Sequence, residues 1–262
     1  DEAIEKTDAK IEKLKSIKQG LMQDLFRYGI DENGKMRSKA THRFKDSPLG
    51  RIPEEWEVKT LNDVVNYVGS GVTPTGGEAV YQKEGIKFVR SQNVTFRGIF
   101  EEDLAYISES IHKRMQRSEI YSFDILLNIT GASIGRCCVV PEYFGKANVN
   151  QHVCAIRLLE RDLWLSSFVS YFLQAHLGQK QIDILNAGGN REGLNYQQIR
   201  AFNIYWPKKP EQSRIASVLF SADEAIEKEE AYKNKLLALK RGLMDDLLSG
   251  KVRVNKLIKE AA

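Results

Sequence analysis

The sequence predicts an α+β protein in which a mixed α/β globular domain is flanked by two long helices. Three observations lead there. First, "DEAIEK" occurs at Asp1–Lys6 and again at Asp223–Lys228, and a shift of 222 positions aligns Asp1–Leu25 with Asp223–Leu247 with 15 of 25 residues identical. An internal repeat of that closeness is far above chance. Second, both copies place residues at alternating spacings of three and four, the pattern of a coiled-coil seam. Third, the chain between them alternates short β-rich runs with glycine turns.

The first helix carries its seam at Ile4, Thr7, Ile11, Leu14, Lys18, Leu21 and Leu25. At 1.5 Å per residue it is ~38 Å long, enough to act as a spacer. The second copy keeps the phase with Ile226, Glu229, Lys233, Leu236, Lys240, Leu243 and Leu247, and Ile17, Leu239, Met22 and Met244 widen the stripe. Polar residues in a seam weaken it and help to fix register. The apolar positions Ile4, Ile11, Leu14, Leu21, Leu25, Ile226, Leu236, Leu243 and Leu247 are the expected helix–helix interface. Pairing with each other or with a second copy of the chain is the simplest way to bury both seams.

Tyr28–Gly34 is dense in stop and turn residues, and a polar, basic connector continues through Arg43 and Lys45. Strands are expected at Lys87–Arg90, Asp124–Ile129, Cys137–Val140 and His152–Leu158, with an amphipathic helix around Leu163–Gln181. The resulting division is a spacer helix over 1–34, a globular domain over 35–208 and a distal helix with its tail over 209–262.

With 262 residues the chain can bury a sizeable core, and 39 basic against 35 acidic residues, net +4, permit an anionic partner without demanding one. Cys137, Cys138 and Cys154 form no CxxC pair and have no histidine at metal spacing, so they read as reduced, buried thiols rather than a zinc site. No apolar run approaches the ~18 residues of a membrane span, and nothing resembles a secretory signal; the expected setting is cytoplasmic. Neither a phosphate-cradling G-x-x-x-x-G-K-[ST] loop nor a G-x-G-x-x-G turn is present. H-E-x-x-H and G-x-S-x-G are also missing, and His42, His112, His152 and His176 are scattered. Glu57-Val-Lys59 has a nuclease-like carboxylate-x-lysine pattern but no suitably placed aspartate. No catalytic or metal-binding residue is therefore assigned.

The polar turns of the central domain are rich in groups that suit nucleic acid. Thr73, Thr75, Arg90, Gln92, Asn93, Arg97, Lys113, Arg114, Asn190 and Arg191 are the candidate DNA-binding residues. Arginine pairs bidentately with guanine and Asn or Gln with adenine, whereas hydroxyls and lysine hold phosphates. The same residue types are common in any solvated loop. Arg90, Gln92 and Asn93, just after a strand, lead as base readers, and Lys113 and Arg114 lead as phosphate contacts.

Seven stretches carry a likeness to a known family: "FKDSPLGRIPEEWEVKTL" (44–61), "SGVTP" (70–74), "IKFVRSQNV" (86–94), "LLNITGASIGRCCVVP" (126–141), "NVNQHVCAIRL" (148–158), "LNYQQIRAFNIYWPKKPEQSRIASVL" (194–219) and "KRGLMDDLLSGKVRV" (240–254). In order and together with the repeat, they resemble half of a specificity subunit of type I restriction-modification systems. Val72 and Trp206-Pro-Lys-Lys-Pro210 depart from the usual family pattern. The resemblance implies one target recognition domain between two conserved helices that form an antiparallel coiled coil, and a non-catalytic subunit that reads one half of a bipartite target in double-stranded DNA. It also implies partners: DNA methyltransferase (modification) subunits that bind S-adenosylmethionine, and a restriction/translocase subunit that binds ATP. "GASIG" either brings backbone near a phosphate or is a purely structural turn.

The rival reading is a coiled-coil oligomerisation scaffold whose α/β domain binds protein. Because the second "DEAIEK" has a natural lead-in from Pro210 and the first begins at Asp1, the chain reads as a half-length form or a fragment. A homodimer is then the expected way to present two domains at opposite ends of a helical spacer.

Overall fold

The computed structural model describes residues 1–187 and 193–252. It comprises two compact units, one formed by Asp1–Leu21 with the chain from Leu219 onward, the other by Met22–Val218. Helix α1 (Glu2–Tyr28) contributes to both.

In the Met22–Val218 unit, β1 (Phe44–Ser47) and β2 (Gly50–Pro53) form a hairpin, followed by β3 (Glu57–Thr60) and β4 (Val65–Ser70). Next come β5 (Ile86–Val89), the short pair β6 (Val94–Thr95) and β7 (Gly98–Ile99), β8 (Ala105–Ile107), α2 (Glu109–Arg114) and β9 (Glu119–Ile120). After them lie β10 (Ile125–Asn128), β11 (Cys137–Val139), β12 (Ala147–Val149) and β13 (Val153–Leu158). The unit closes with α3 (Leu163–Gln174), α4 (His176–Ala187), α5 (Tyr196–Arg200), β14 (Asn203–Trp206) and the first turns of α6 (Lys209–Leu248). The four strands expected from the sequence correspond to β5, β10, β11 and β13.

Two four-stranded sheets organise the unit, one antiparallel in the order β11-β10-β13-β4, the other in the order β8-β5-β12-β9 with β5 and β12 parallel. All four residues of β10 and all but one of β13 are buried, which is why these segments read as continuous apolar runs instead of alternating ones. The exception is Arg157. Its guanidinium meets the buried Asp124 in two bonds, Nε–Oδ1 2.8 Å and Nη2–Oδ2 2.6 Å, and stacks 4.3 Å from the Tyr121 ring. A charge taken out of water needs such a two-pronged partner, since burying it alone costs several kcal/mol.

Helix α3 is buried along Leu165–Leu173. Its start is fixed by Asp162, whose carboxylate accepts from the Leu165 N–H at 2.9 Å. Phe26 of α1 packs on it, with ring centroids 5.5 Å from Phe168 and 5.4 Å from Phe172. The last turn of α1 is therefore core to this unit, and Leu25 and Phe26 are each 2% exposed.

The single helix expected over Leu163–Gln181 is two. Ala175 is extended (φ −67°, ψ 160°). The Gln179 amide reaches back to the freed Leu173 carbonyl at 2.7 Å and to Gly135 O at 3.1 Å, and Gly178 lies where a Cβ would collide with backbone of Phe172 and Leu173. Apolar periodicity continues through such a break, so the pattern alone does not reveal it.

In the other unit, the two copies of the repeat pair with each other. Cross-helix ion pairs among the described residues include Asp1–Lys240, Asp8–Lys233 at 2.6 Å, Lys10–Glu229 at 2.5 Å, Lys15–Glu230 at 4.0 Å and Lys18–Asp223 at 2.5 Å. From Asp1–Lys240 to Lys18–Asp223 one number rises as the other falls, so the pair is antiparallel. Asp1 and Asp223 are the first residues of the two copies, and Lys18 and Lys240 are both the eighteenth. Each copy's first residue thus binds the other's eighteenth, a pseudo-two-fold arrangement that explains why one sequence occurs twice. Thr7, Ile11 and Ile226 are buried in the seam, and Ile4, Leu14, Leu21 and Leu236 are half-buried.

Two expected interface residues fall outside that seam. Leu243 is 54% and Leu247 47% exposed, on the stretch of α6 that follows Lys240, the partner of Asp1. Leu25 is buried within the Met22–Val218 unit, which includes the first turns of α6.

Candidate nucleic-acid interface

Three loops of the Met22–Val218 unit hold most of the candidate residues. The first follows β5. Arg90 donates through Nη2 to the Asp103 carbonyl at 3.0 Å and to its carboxylate at 3.4 Å, and Gln92 Nε2 also binds that carboxylate. Asn93 is fully buried: its Oδ1 accepts from the Arg90 N–H at 3.0 Å, and its Nδ2 donates to Phe100 O at 3.1 Å and Asp103 O at 3.0 Å. The amide is spent, its oxygen on the Arg90 N–H and its nitrogen on the 100–103 loop, leaving no free group for a base. Asn93 is therefore a structural residue here, Arg90 is largely one, and Gln92 alone of the three is exposed.

Arg97 stands at the exposed tip of the β6–β7 turn, which Thr95 closes by donating to Gly98 O at 2.8 Å. Lys113 and Arg114 are exposed on the last turn of α2. That short helix is anchored from beneath by the buried His112, whose Nδ1 lies 2.7 Å from Asn148 Oδ1, while Asn148 Nδ2 donates to Met115 O at 2.9 Å and Ser118 Oγ at 3.0 Å. Two cations are thus presented to solvent from a fixed base, and neither side chain has an ion-pair partner among the described residues. Thr75 is exposed, and Thr73 donates to Gln151 Oε1. Asn190 and Arg191 lie outside the described residues.

The structure brings together a further group that the sequence reading did not single out. A cleft of about 510 Å³ opens where the segment after β5, the β10–β11 turn and the β12–β13 turn meet. The candidate Gln92 lines it with Ser91, Thr130, Ser133, Arg136 and His152, and Gly131, at φ +74°, turns the backbone at its edge in a conformation that favours glycine. Thr130 and His152 are 22 residues apart in sequence, and no local pattern signals that they touch. The three cysteines are buried, and burial pushes Cys137 and Cys154 up to about 12, so they offer no nucleophile at neutral pH.

The sequence profile of the type I restriction modification DNA specificity domain matches residues 53–238. The chain belongs to this family. Within it, the type I restriction enzyme MjaVIII specificity subunit of Methanocaldococcus jannaschii is 28% identical over 260 residues, covering 98% of this chain and 58% of that protein. The EcoKI specificity subunit of Escherichia coli K12 is 25% identical over 181 residues, 65% of this chain and 36% of that protein. The fold is similar to the S subunit of a type I restriction-modification system from M. genitalium, with TM-score 0.62 at 15% identity over 94% of this chain and 57% of that one. This member of the DNA specificity domain family thus spans a little over half the length of the MjaVIII subunit and of the M. genitalium S subunit.

Proposed function

We infer that the chain is a non-catalytic specificity subunit that reads one half of a bipartite target in double-stranded DNA within a type I restriction-modification complex. The observation that carries this reading is the family match, which runs continuously from the β2 end of the globular unit into α6, so that one recognition unit and its helix belong to the matched domain. On this reading the paired helices dock the modification and restriction subunits. S-adenosylmethionine and ATP are bound by those partners, and this chain supplies the address. Lys113 and Arg114, exposed and without an ion-pair partner among the described residues, serve as phosphate contacts. Duplex binding that weakens steeply with salt tests the reading, because each neutralised phosphate releases counterions. Absence of duplex binding at low salt would overturn it.

A second copy is the proposed way of completing the site. Leu243, Met244, Leu247 and Leu248 are between 47% and 82% exposed. They hold the repeat positions of Leu21, Met22, Leu25 and Phe26, the last two of which are buried, Phe26 against Phe168 and Phe172 of its own recognition unit. The recognition unit of a second chain offers the same covering surface. Two copies then present two identical units and read a split palindrome. Light scattering is expected to show a concentration-dependent dimer; a strict monomer throughout the micromolar range that still protects a two-part site would exclude this arrangement.

A further inference from the structure

The cleft beside Gly131 differs chemically from two other clefts of the same unit. One of those mixes Glu55, Glu57, Asp63 and Glu160 with lysines, another mixes Asp31, Glu32, Glu55 and Glu211 with arginines and a lysine. The Gly131 cleft has no carboxylate among its lining residues. It collects hydrogen-bond donors instead. The exposed Arg136 side chain has no ion-pair or hydrogen-bond partner among the described residues. Ser133 Oγ accepts from Asn128 Nδ2 at 3.0 Å, which leaves its own hydroxyl hydrogen to give.

Thr130 is supplied with a donor direction by a chain of side chains. Thr73 Oγ1 donates to Gln151 Oε1, which turns the Gln151 amide nitrogen toward His152 Nε2 at 3.0 Å. That ring nitrogen therefore accepts, and the ring proton sits on Nδ1. Nδ1 lies 2.6 Å from Thr130 Oγ1 and gives its hydrogen to it, so the Thr130 hydroxyl hydrogen is left for the cleft. Three donors, one of them a full positive charge, thus converge on one acid-free space.

We propose that this cleft is a DNA contact site, taking an acceptor group of the duplex between Arg136, Ser133 and Thr130, with His152, Gln151 and Thr73 as positioning residues for the Thr130 hydroxyl. This rests on the DNA-reading function inferred above and names where that function is exercised. The chemistry required of the ligand is clustered acceptor oxygens or nitrogens without a donor. Two parts of DNA carry it, a backbone phosphate and the O6/N7 edge of guanine.

The test uses the full chain and a pool of randomised duplexes, selected by binding to the parent protein and then titrated against variants. Arg136→Ala and Thr130→Val are each expected to bind the selected duplexes about 5- to 150-fold more weakly, the range of a good contact. Thr130→Ser should restore binding. His152→Leu combined with Thr130→Val should bind no more weakly than Thr130→Val alone, because His152 acts only through that hydroxyl. A uniform loss on all sequences, with the salt slope reduced by about one, identifies a phosphate; a loss confined to one base position identifies a base edge. If the parent binds duplex and Arg136→Ala and Thr130→Val, folded by their melting curves, bind as it does, the cleft assignment is wrong and the DNA-reading function stands. If the parent binds no duplex, both fall.

Discussion

Leu25 and Leu247 occupy the same position in the two copies of the repeat, and only their surroundings differ: 2% against 47% exposed. Replacing each by alanine removes the same atoms from the same kind of helix, so any gain in helix propensity cancels between them. At Leu25 the lost transfer energy of about three methylene-sized groups is ~2.4 kcal/mol at ~0.8 each. The cavity left at so buried a position adds to that, so ~3 kcal/mol is expected within the usual ~2–5 for buried Leu→Ala. At Leu247, on the stretch of α6 that follows Lys240, the side chain is exposed and the cost should stay within about 0.5 kcal/mol. Urea unfolding at submicromolar protein, followed by far-UV circular dichroism, measures both, and the fluorescence of Trp56, Trp164 and Trp206 follows the Met22–Val218 unit separately. Equal losses for the two variants would mean that the end of α6 is covered in the lone chain, and the register argument would fail.

Asp124→Asn, which leaves the Arg157 guanidinium facing a neutral amide in the core, should cost about 3–5 kcal/mol in the same unfolding measurement. Asn93→Ala should lower stability by loosening the 100–103 loop while the base preference of any DNA bound stays as it was; a changed preference with unchanged stability would return Asn93 to the reading residues. Lys113→Ala should weaken all duplexes alike and reduce the salt slope by about one. The buried thiols make a pH prediction: their folded values, about 12 for Cys137 and Cys154, lie above the ~8.5 of an unfolded thiol. Their contribution to stability is therefore whole below pH ~8.5 and declines as pH rises toward 12. Native protein at pH 8 should resist alkylation and release all three thiols on unfolding; rapid labelling of the native chain would contradict the burial.

The repeat, the central domain and its main strands were legible because each leaves a periodic or self-similar trace in the chain. Register was not. Heptad spacing marks the face of a helix without saying which residue it meets, so by spacing alone Leu243 and Leu247 are equivalent to Leu21 and Leu25, and only the Asp1–Lys240 pairing separates them. Asn93 was misread for a related reason: a polar side chain after a strand has the same local signature whether it faces solvent or ties down a neighbouring loop. The Thr73–Gln151–His152–Thr130 chain joins residues up to 78 positions apart, and such long-range convergence has no local pattern to reveal it. The stretches that carried the family likeness did contain Thr130, Arg136 and His152, but they singled out the glycines of that turn and passed over the side chains beside them.

The self-complementary repeat also sets a timing problem for synthesis. Ile11 and Ile226, both buried in the seam, are separated by 215 residues, so at about 5–20 residues per second the first helix waits roughly 10 to 40 s for its partner to emerge. During that interval the nearest matching surface is the first helix of a neighbouring nascent chain, which carries the same Asp1 and Lys18 and can form the same reciprocal ion pairs. Thr7 and Lys18, polar residues set in the seam, make such a premature homotypic pair weak. Folding of the Met22–Val218 unit meanwhile withdraws Leu25 and Phe26 from exchange. A seam imperfect enough to be a poor partner for strangers, and tethered to its proper mate through a folded domain, keeps the two copies for each other.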